Sequence, residues 1–102
     1  MLALCEEREI VAQDARSHPS AELIERAVAL VRATRNDPRI RRGASVRAAI
    51  AIADIAARLD GDVARAALLA LPTRIELVDP AATPLAGVLD DLAKKAGVAG
   101  LR

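Results

Sequence analysis

The segment that most limits what this chain can fold into is 46–59, because apolar residues fill most of its positions. On a helix they cover nearly the whole circumference, and Asp54 is left for a narrow exposed strip or a neighbouring arginine. Such a helix is stable in the middle of a bundle, where other helices cover it on several sides. Ser45, which follows the flexible Gly43, is placed to cap its start. The segment predicts a central helix in an α-helical domain.

The composition favours helices over sheets. Hydrophobic residues make up 53% of the 102 residues, yet none of them is Phe, Tyr or Trp. The core must therefore consist of Ala, Leu, Val and Ile, which suit close packing of helices, whereas sandwiches and barrels rely on aromatic and β-branched strands. The length is that of one domain or a piece of a larger protein.

Four further segments have helical signals. Ser20, Asp62 and Thr83 are placed as N-caps, Pro84 stands at a first helical position, and the apolar residues recur at helical spacing. The predicted helices are 2–17, 21–34, 63–71 and one that runs from Thr83-Pro84 to Gly97. Segment 73–78 alternates polar and apolar residues in part, so both a short strand and a helical turn stay open.

These segments predict an all-α fold, a small bundle of four to five helices with one extended segment possible near 73–78. We divide the chain into a lead-in helix at 1–19, a bundle at 20–97 and a frayed tail at 98–102. Two packing faces follow from the apolar residues. The first helix is expected to pack through Leu2, Leu4, Cys5, Ile10 and Val11, and the fourth through Val63, Ala66, Ala67, Leu69 and Ala70. In the last helix, two acid-to-lysine pairs are expected at i, i+4, Asp90–Lys94 and Asp91–Lys95.

Several functional classes are disfavoured. No apolar run approaches the roughly 18 residues of a membrane span, and acids follow the first five residues too soon for a signal peptide. A formal net charge of +1 argues against a general binder of nucleic acid or membranes. The lone Cys5 has no partner for an internal disulfide, which fits a reducing cytoplasm.

The sequence has no catalytic apparatus. It contains no GxxxxGK[ST] or GxGxxG motif, no Cys/His metal set and no serine with a histidine base. His18, the only histidine, is expected to be a loop residue without a metal or catalytic role. The paired carboxylates at 6–7 and 90–91 are expected on exposed helix faces.

One stretch, from Arg32 to Arg47, carries an excess of positive charge. It contains a single acid, Asp37, and six arginines, at positions 32, 35, 39, 41, 42 and 47. Arginines late in a helix favour its dipole, which explains Arg32 and Arg35, and a solvated loop would account for others. Neither explains Arg47, whose positive charge in the first turn of its helix opposes the helix dipole. The position becomes favourable if an anion binds at the start of the helix.

Two motifs in this region resemble the C-terminal lid of MoxR-type AAA+ ATPases. Residues 34–38 (TRNDP) are similar to the family's "TR…P" segment, and residues 43–48 (GASVRA) to its "GAS-P-RA" motif, with Val46 in place of proline. Residues 60–63 (DGDV) look like a shortened form of the family's next turn, and 73–77 (TRIEL) resemble its closing segment. The resemblance covers about residues 20–78.

The resemblance implies a role in ATP-driven movement. The arginine that opens the central lid helix, here Arg47, would be sensor 2 and reach the nucleotide phosphates, with Arg41, Arg42 and Ser45 as possible supporting contacts. ATP and Mg²⁺ would be held mainly by an upstream AAA+ core domain. Neighbouring subunits of a ring, and a von Willebrand factor A domain protein, are the implied partners of a chaperone-like ATPase. The fragment alone is expected neither to hydrolyse ATP nor to bind it tightly.

Two other functions stay open. A nucleic-acid-binding domain would place Arg39, Arg41 and Arg42 on phosphates, although 36–44 is long for a tight helix-turn-helix and helix 46–59 offers few side chains to base edges. A helical adaptor would use the same basic segment against an acidic protein partner.

Overall fold

The computed structural model describes residues 3–79 and 84–95, without the side chains of residues 86 and 95. Within this part, five helices and one two-stranded antiparallel sheet are formed, which confirms the predicted all-α bundle. In chain order the elements are α1 (Leu4–Asp14), α2 (Ala21–Asn36), β1 (Ile40–Arg42), α3 (Val46–Arg58), α4 (Val63–Ala70), β2 (Glu76–Leu77) and α5 (Leu85–Lys95).

Helices α2 and α3 form the centre of the bundle. Helix α3 packs against α1, α2 and α4, as its nearly continuous apolar surface predicts, and α2 also contacts β1 and α5. Small residues let these helices approach closely: the buried positions of α3 are Ala48, Ala49, Ile52, Ala53 and Ala56. They face the apolar stripe of α2, whose buried members are Leu23, Ile24, Ala27, Val28, Leu30, Val31 and Thr34.

Of the three predicted N-caps that lie within the described residues, two make the expected bond. The Ser20 hydroxyl accepts a hydrogen bond from the Leu23 amide at 3.2 Å, and the Asp62 carboxylate accepts one from the Arg65 amide at 3.1 Å. Ser45 occupies the N-cap position of α3, but its side chain makes no capping bond. The Ser45 hydroxyl is therefore not used by the helix that it precedes.

Helix α1 differs from the prediction in length and in its packed face. It ends at Asp14, not at residue 17, and the chain turns through His18, whose φ is 49°. The buried residues of α1 are Glu7 and Val11, whereas Leu4 and Cys5 are exposed. The predicted face was right for Val11 and wrong for Leu4 and Cys5, while Leu2 lies outside the described residues. It was wrong because an acid on this helix is buried against arginines that only the tertiary fold brings near.

The turn after α1 is held by Asp54 of α3. Its carboxylate accepts hydrogen bonds from the Ser17 hydroxyl at 2.6 Å, the Ser17 amide at 2.9 Å and the Arg16 amide at 3.3 Å. Burial acts to raise the pKa of Asp54, but these bonds and the charge of Arg58 outweigh it and hold the pKa below its ordinary value. Asp54 thus links the start of the chain to the central helix.

The two strands settle the question left open at 73–78. Glu76–Leu77 pairs with Ile40–Arg42, so Leu77 lies opposite Ile40 and Glu76 opposite Arg42, with an irregularity between the two pairs. Strand β1 was not predicted, because three residues with one apolar side chain show no alternation that could indicate a strand. The strand forms because the folded domain brings β2, more than 30 residues away in sequence, beside it.

The last two helices follow the predicted pattern with one exception. In α4 the expected packing residue Leu69 is 64% exposed, because the buried residues Val63, Ala66, Ala67 and Ala70 follow i, i+3, i+4, i+7 spacing and Leu69 lies outside that stripe. In α5 the 3.1 Å Asp90–Lys94 pair matches the prediction, and Val88, Leu89 and Leu92 are buried. The expected cap at Thr83, the stop at Gly97 and the Lys95 side chain lie outside the described residues. None of the described helices is long and apolar enough to cross a bilayer.

Candidate functional site

The segment Gly43–Ser45, which we call the α3 entry loop, is fixed against the end of α2. The amide of Ala44 donates to the Thr34 hydroxyl at 2.9 Å, and its carbonyl accepts from Arg35 Nε at 2.8 Å. Thr34 and Ala44 are both buried, so these bonds satisfy polar groups that water does not reach. Both backbone groups of Ala44 are thereby held by side chains of α2.

Gly43 approaches α2 so closely that no side chain fits there. A Cβ on Gly43 would lie 2.7 Å from the Cα and 2.8 Å from the backbone nitrogen of Arg35. Carbon atoms in ordinary contact are about 3.5–4.0 Å apart, so the position requires glycine for steric reasons. The motif residues Thr34, Arg35, Gly43 and Ala44 are thus in direct contact, although they come from two separate motifs.

A buried glutamate of α1 holds two of the six arginines. Glu7 is 1% exposed, and its two oxygens accept from Arg32 Nη1 at 2.5 Å and from Arg35 Nη2 at 2.6 Å. Burial acts to raise the pKa of Glu7, but the hydrogen bonds from Arg35 and Arg32 and their charges outweigh it and lower the pKa. The prediction that the carboxylates at 6–7 are both exposed is therefore wrong for Glu7.

Two more arginines are paired elsewhere. Arg39 donates to the buried carboxylate of Asp37 at 2.7 Å and 3.0 Å and to Asp91 of α5 at 2.9 Å, and these two acids raise its pKa, Asp37 more strongly. Arg41 contacts Glu76 of β2 at 3.3 Å, between exposed side chains. Three of the acids, Glu7, Glu76 and Asp91, come from outside the arginine-rich stretch, so its local excess of charge is largely neutralised within the domain.

Arg42 and Arg47 differ from the other four arginines of this stretch, because they have no acidic partner among the described residues. Both are exposed, and neither side chain has a hydrogen bond or an ion pair among the described residues. Arg47 is the second residue of α3, next to the amides that a helix leaves unpaired in its first turn. Its charge there faces the positive end of the helix dipole, an arrangement that a bound anion would stabilise.

The predicted site residues therefore fall into two groups. Arg47, Arg42 and Ser45 are exposed at the start of α3 with unused polar atoms, whereas Arg41 already has an acidic partner. Guanidinium groups, a hydroxyl and first-turn amides are donors, which suit phosphate or another oxyanion. Among the described residues, no group of three or more histidine, cysteine or acidic side chains is arranged to hold a metal ion.

Sequence reasoning missed Glu7, whose carboxylate binds Arg35, the arginine that contacts the α3 entry loop. Its only local signal was an acid at i−4 from the buried Val11, which by itself does not distinguish a buried carboxylate from a surface one. The Gly43 contact also had no signal beyond the glycine itself. Comparison with known protein families, with curated proteins and with solved structures found no match to this chain.

Proposed function

We propose that this chain is the C-terminal lid domain of a MoxR-type AAA+ ATPase, with Arg47 as the sensor 2 residue. The observation that carries the proposal is the state of Arg47, an exposed guanidinium in the first turn of the central helix with no acidic partner among the described residues. A cation at the positive end of a helix is unfavourable by itself, so a site for an anion is the simplest reason for its presence.

The α3 entry loop supports the same proposal. Its backbone is held by Thr34 and Arg35, so Arg47 projects from a start point with little freedom to move. A preorganised donor loses less conformational entropy on binding a phosphate than a donor on a mobile loop. Arg42 and the unused hydroxyl of Ser45 lie near it along the chain and would add donors.

In this proposal, the lid closes over a nucleotide bound by another domain. A core domain upstream of this segment supplies the Walker motifs and holds ATP with Mg²⁺, and Arg47 reaches the phosphates from the lid. Loss of the terminal phosphate then removes a contact between core and lid, which changes the position of the lid. The parent protein works in the cytoplasm as a ring, is chaperone-like, and acts on partners such as von Willebrand factor A domain proteins.

The paired arginines weigh against a nucleic-acid function. That reading needs Arg39 and Arg41 on phosphates, but Arg39 lies between Asp37 and Asp91, and Arg41 lies against Glu76. With these charges neutralised, Arg42 and Arg47 are the arginines of this stretch left to contact a nucleic acid. Two arginines are too few for the multiple phosphate contacts that nucleic-acid binding usually needs.

The first experiment is to read the coding sequence upstream of Met1. We expect a Walker A and a Walker B motif within the preceding 200 or so residues, about one to two domains. The next is Arg47→Ala in the protein that contains them. ATP turnover should fall about 100-fold, as when one preorganised charge-stabilising donor is removed, while the thermal unfolding midpoint stays unchanged.

Arg65→Ala is the matched control, because Arg65 is also an exposed arginine on a helix, in α4. It should leave ATP turnover at the wild-type value. The proposal is wrong if Arg47→Ala behaves like Arg65→Ala in the intact ATPase, or if no ATP-binding core is encoded upstream or by a neighbouring gene.

A further inference from the structure

The buried Glu7 is not explained by a lid that consists of residues 20–78 alone. It lies on α1, outside the segment that resembles the lid family, yet the residue is 1% exposed and its carboxylate contacts two arginines of α2. A buried ion pair is a poor device for stability, because a well-packed apolar group of similar volume often does as well. The carboxylate therefore calls for a role that an apolar side chain would not fill.

Arg35 connects this carboxylate to the α3 entry loop. One nitrogen of its guanidinium, Nη2, contacts Glu7 at 2.6 Å, and another, Nε, contacts the carbonyl of Ala44 at 2.8 Å. Because a guanidinium is planar and rigid, fixing one edge fixes the direction of the other donor. The orientation imposed by Glu7 is thus passed to the backbone of Ala44.

Ala44 in turn precedes Arg47 by only three residues. Its amide is held by Thr34, and Gly43 packs against the backbone of Arg35, so the loop has little room to adjust on its own. The next residue, Ser45, is the N-cap of α3, and Arg47 follows in the first turn. A rotation of the Arg35 guanidinium would therefore shift the start of α3 and the base of Arg47.

We infer that Glu7 is a positioning residue: through Arg35 it sets the α3 entry loop, and with it the direction in which α3 presents Arg47. Helix α1 is on this account a working part of the domain and not a lead-in to it. The value of this link for sensing ATP rests on the proposed function, whereas the link itself is a property of the chain.

The test uses the 102-residue chain and Glu7→Gln. Glutamine keeps the shape but has an NH₂ donor where one carboxylate oxygen stood, so it cannot offer a separate acceptor oxygen to each arginine as Glu7 does. We expect the hydrogen-exchange rate of the Ala44 amide to rise at least tenfold more than the rates of the α4 amides. The amide resonances of residues 44–47 should shift, while those of α4 stay in place.

Glu9→Gln is the matched control, since it makes the same change at an exposed position of the same helix. It should alter neither the exchange of Ala44 nor its resonance. If Glu7→Gln does not fold, Glu7→Asp decides by the same ratio, because aspartate keeps the charge and leaves Arg35 in place but is one methylene too short to hold both arginines as Glu7 does.

A uniform rise of exchange across α2, α3 and α4, or no change at Ala44, would overturn the inference and leave Glu7 as an ion that only stabilises the fold. This readout involves no nucleotide, so it stands or falls separately from the sensor role of Arg47. If Arg47→Ala leaves ATP turnover unchanged but Ala44 responds to Glu7→Gln, the proposed function fails and the positioning role remains.

Discussion

Gly43→Ala is the substitution for which the structure gives the most definite expectation. The added Cβ would lie 2.7, 2.8 and 2.9 Å from three atoms of Arg35, two of which belong to the backbone of α2. Ordinary carbon contacts are about 3.5–4.0 Å, so the loop would have to withdraw by roughly 1 Å. The backbone of α2 lies in the core and cannot move aside as the end of a flexible side chain would.

The cost follows from what the withdrawal breaks. The two bonds of Ala44, 2.9 Å to Thr34 and 2.8 Å from Arg35, would lengthen beyond hydrogen-bonding distance. Two such bonds contribute about 2 kcal/mol together, within the range of about 1–3 kcal/mol for overpacking a core. For a domain of this size that loss corresponds to a fall of about 10 °C in the melting temperature.

The assay is thermal and urea unfolding of the chain, with Gly87→Ala as the control. Gly87 lies in α5, and a Cβ there has its nearest neighbour at 4.0 Å, so alanine should stabilise the helix by about 0.5–1 kcal/mol. Opposite signs for the same chemical change are therefore expected. A neutral or stabilising Gly43→Ala, with the fold intact, would refute the close approach of the loop to α2.

Two smaller predictions concern the caps and the carboxylates. Ser20→Ala should destabilise the domain by about 1 kcal/mol in urea unfolding, whereas Ser45→Ala should change stability by a few tenths at most, because only Ser20 makes a capping bond; equal losses would contradict the cap assignment. The lowered pKa values of Glu7 and Asp54 mean that their contribution to stability is complete above their unfolded pKa values, about 4, and is lost as the pH falls through the folded ones. The melting temperature should thus decline below about pH 4. The Asp54→Asn variant should already have a lower melting temperature than the wild type at about pH 7 and should show a shallower decline in acid. An equally steep decline would show that Asp54 is not one of the groups responsible.

The sequence was sufficient for the features that depend on near neighbours. A cap such as Ser20 acts three residues away, and the one-sided stripe of α2 repeats within a few residues, so both can be read from the chain. The central place of α3 also followed, because a helix that is apolar nearly all round has to be covered by others. A break between α2 and α3 was also predicted, and the structure places it at 37–45, because α2 continues through Asn36, two residues beyond its predicted end.

The candidate site was only partly predictable. The sequence pointed to Arg47 through its unfavourable place at a helix start, and the structure leaves that side chain exposed. It gave no reason to separate Arg42 from Arg39 and Arg41, because all three look alike in a basic stretch. Their difference lies in the acids that the fold brings to two of them.

The chain by itself determined the helices and the caps at Ser20 and Asp62, since each depends on residues within about four positions of one another. Tertiary structure decided which charges are neutralised. Arg32 and Arg35 meet Glu7 across 25 and 28 positions, and Arg39 meets Asp91 across 52. Such pairs leave no periodic trace in the sequence, because they form only when packing brings distant segments together.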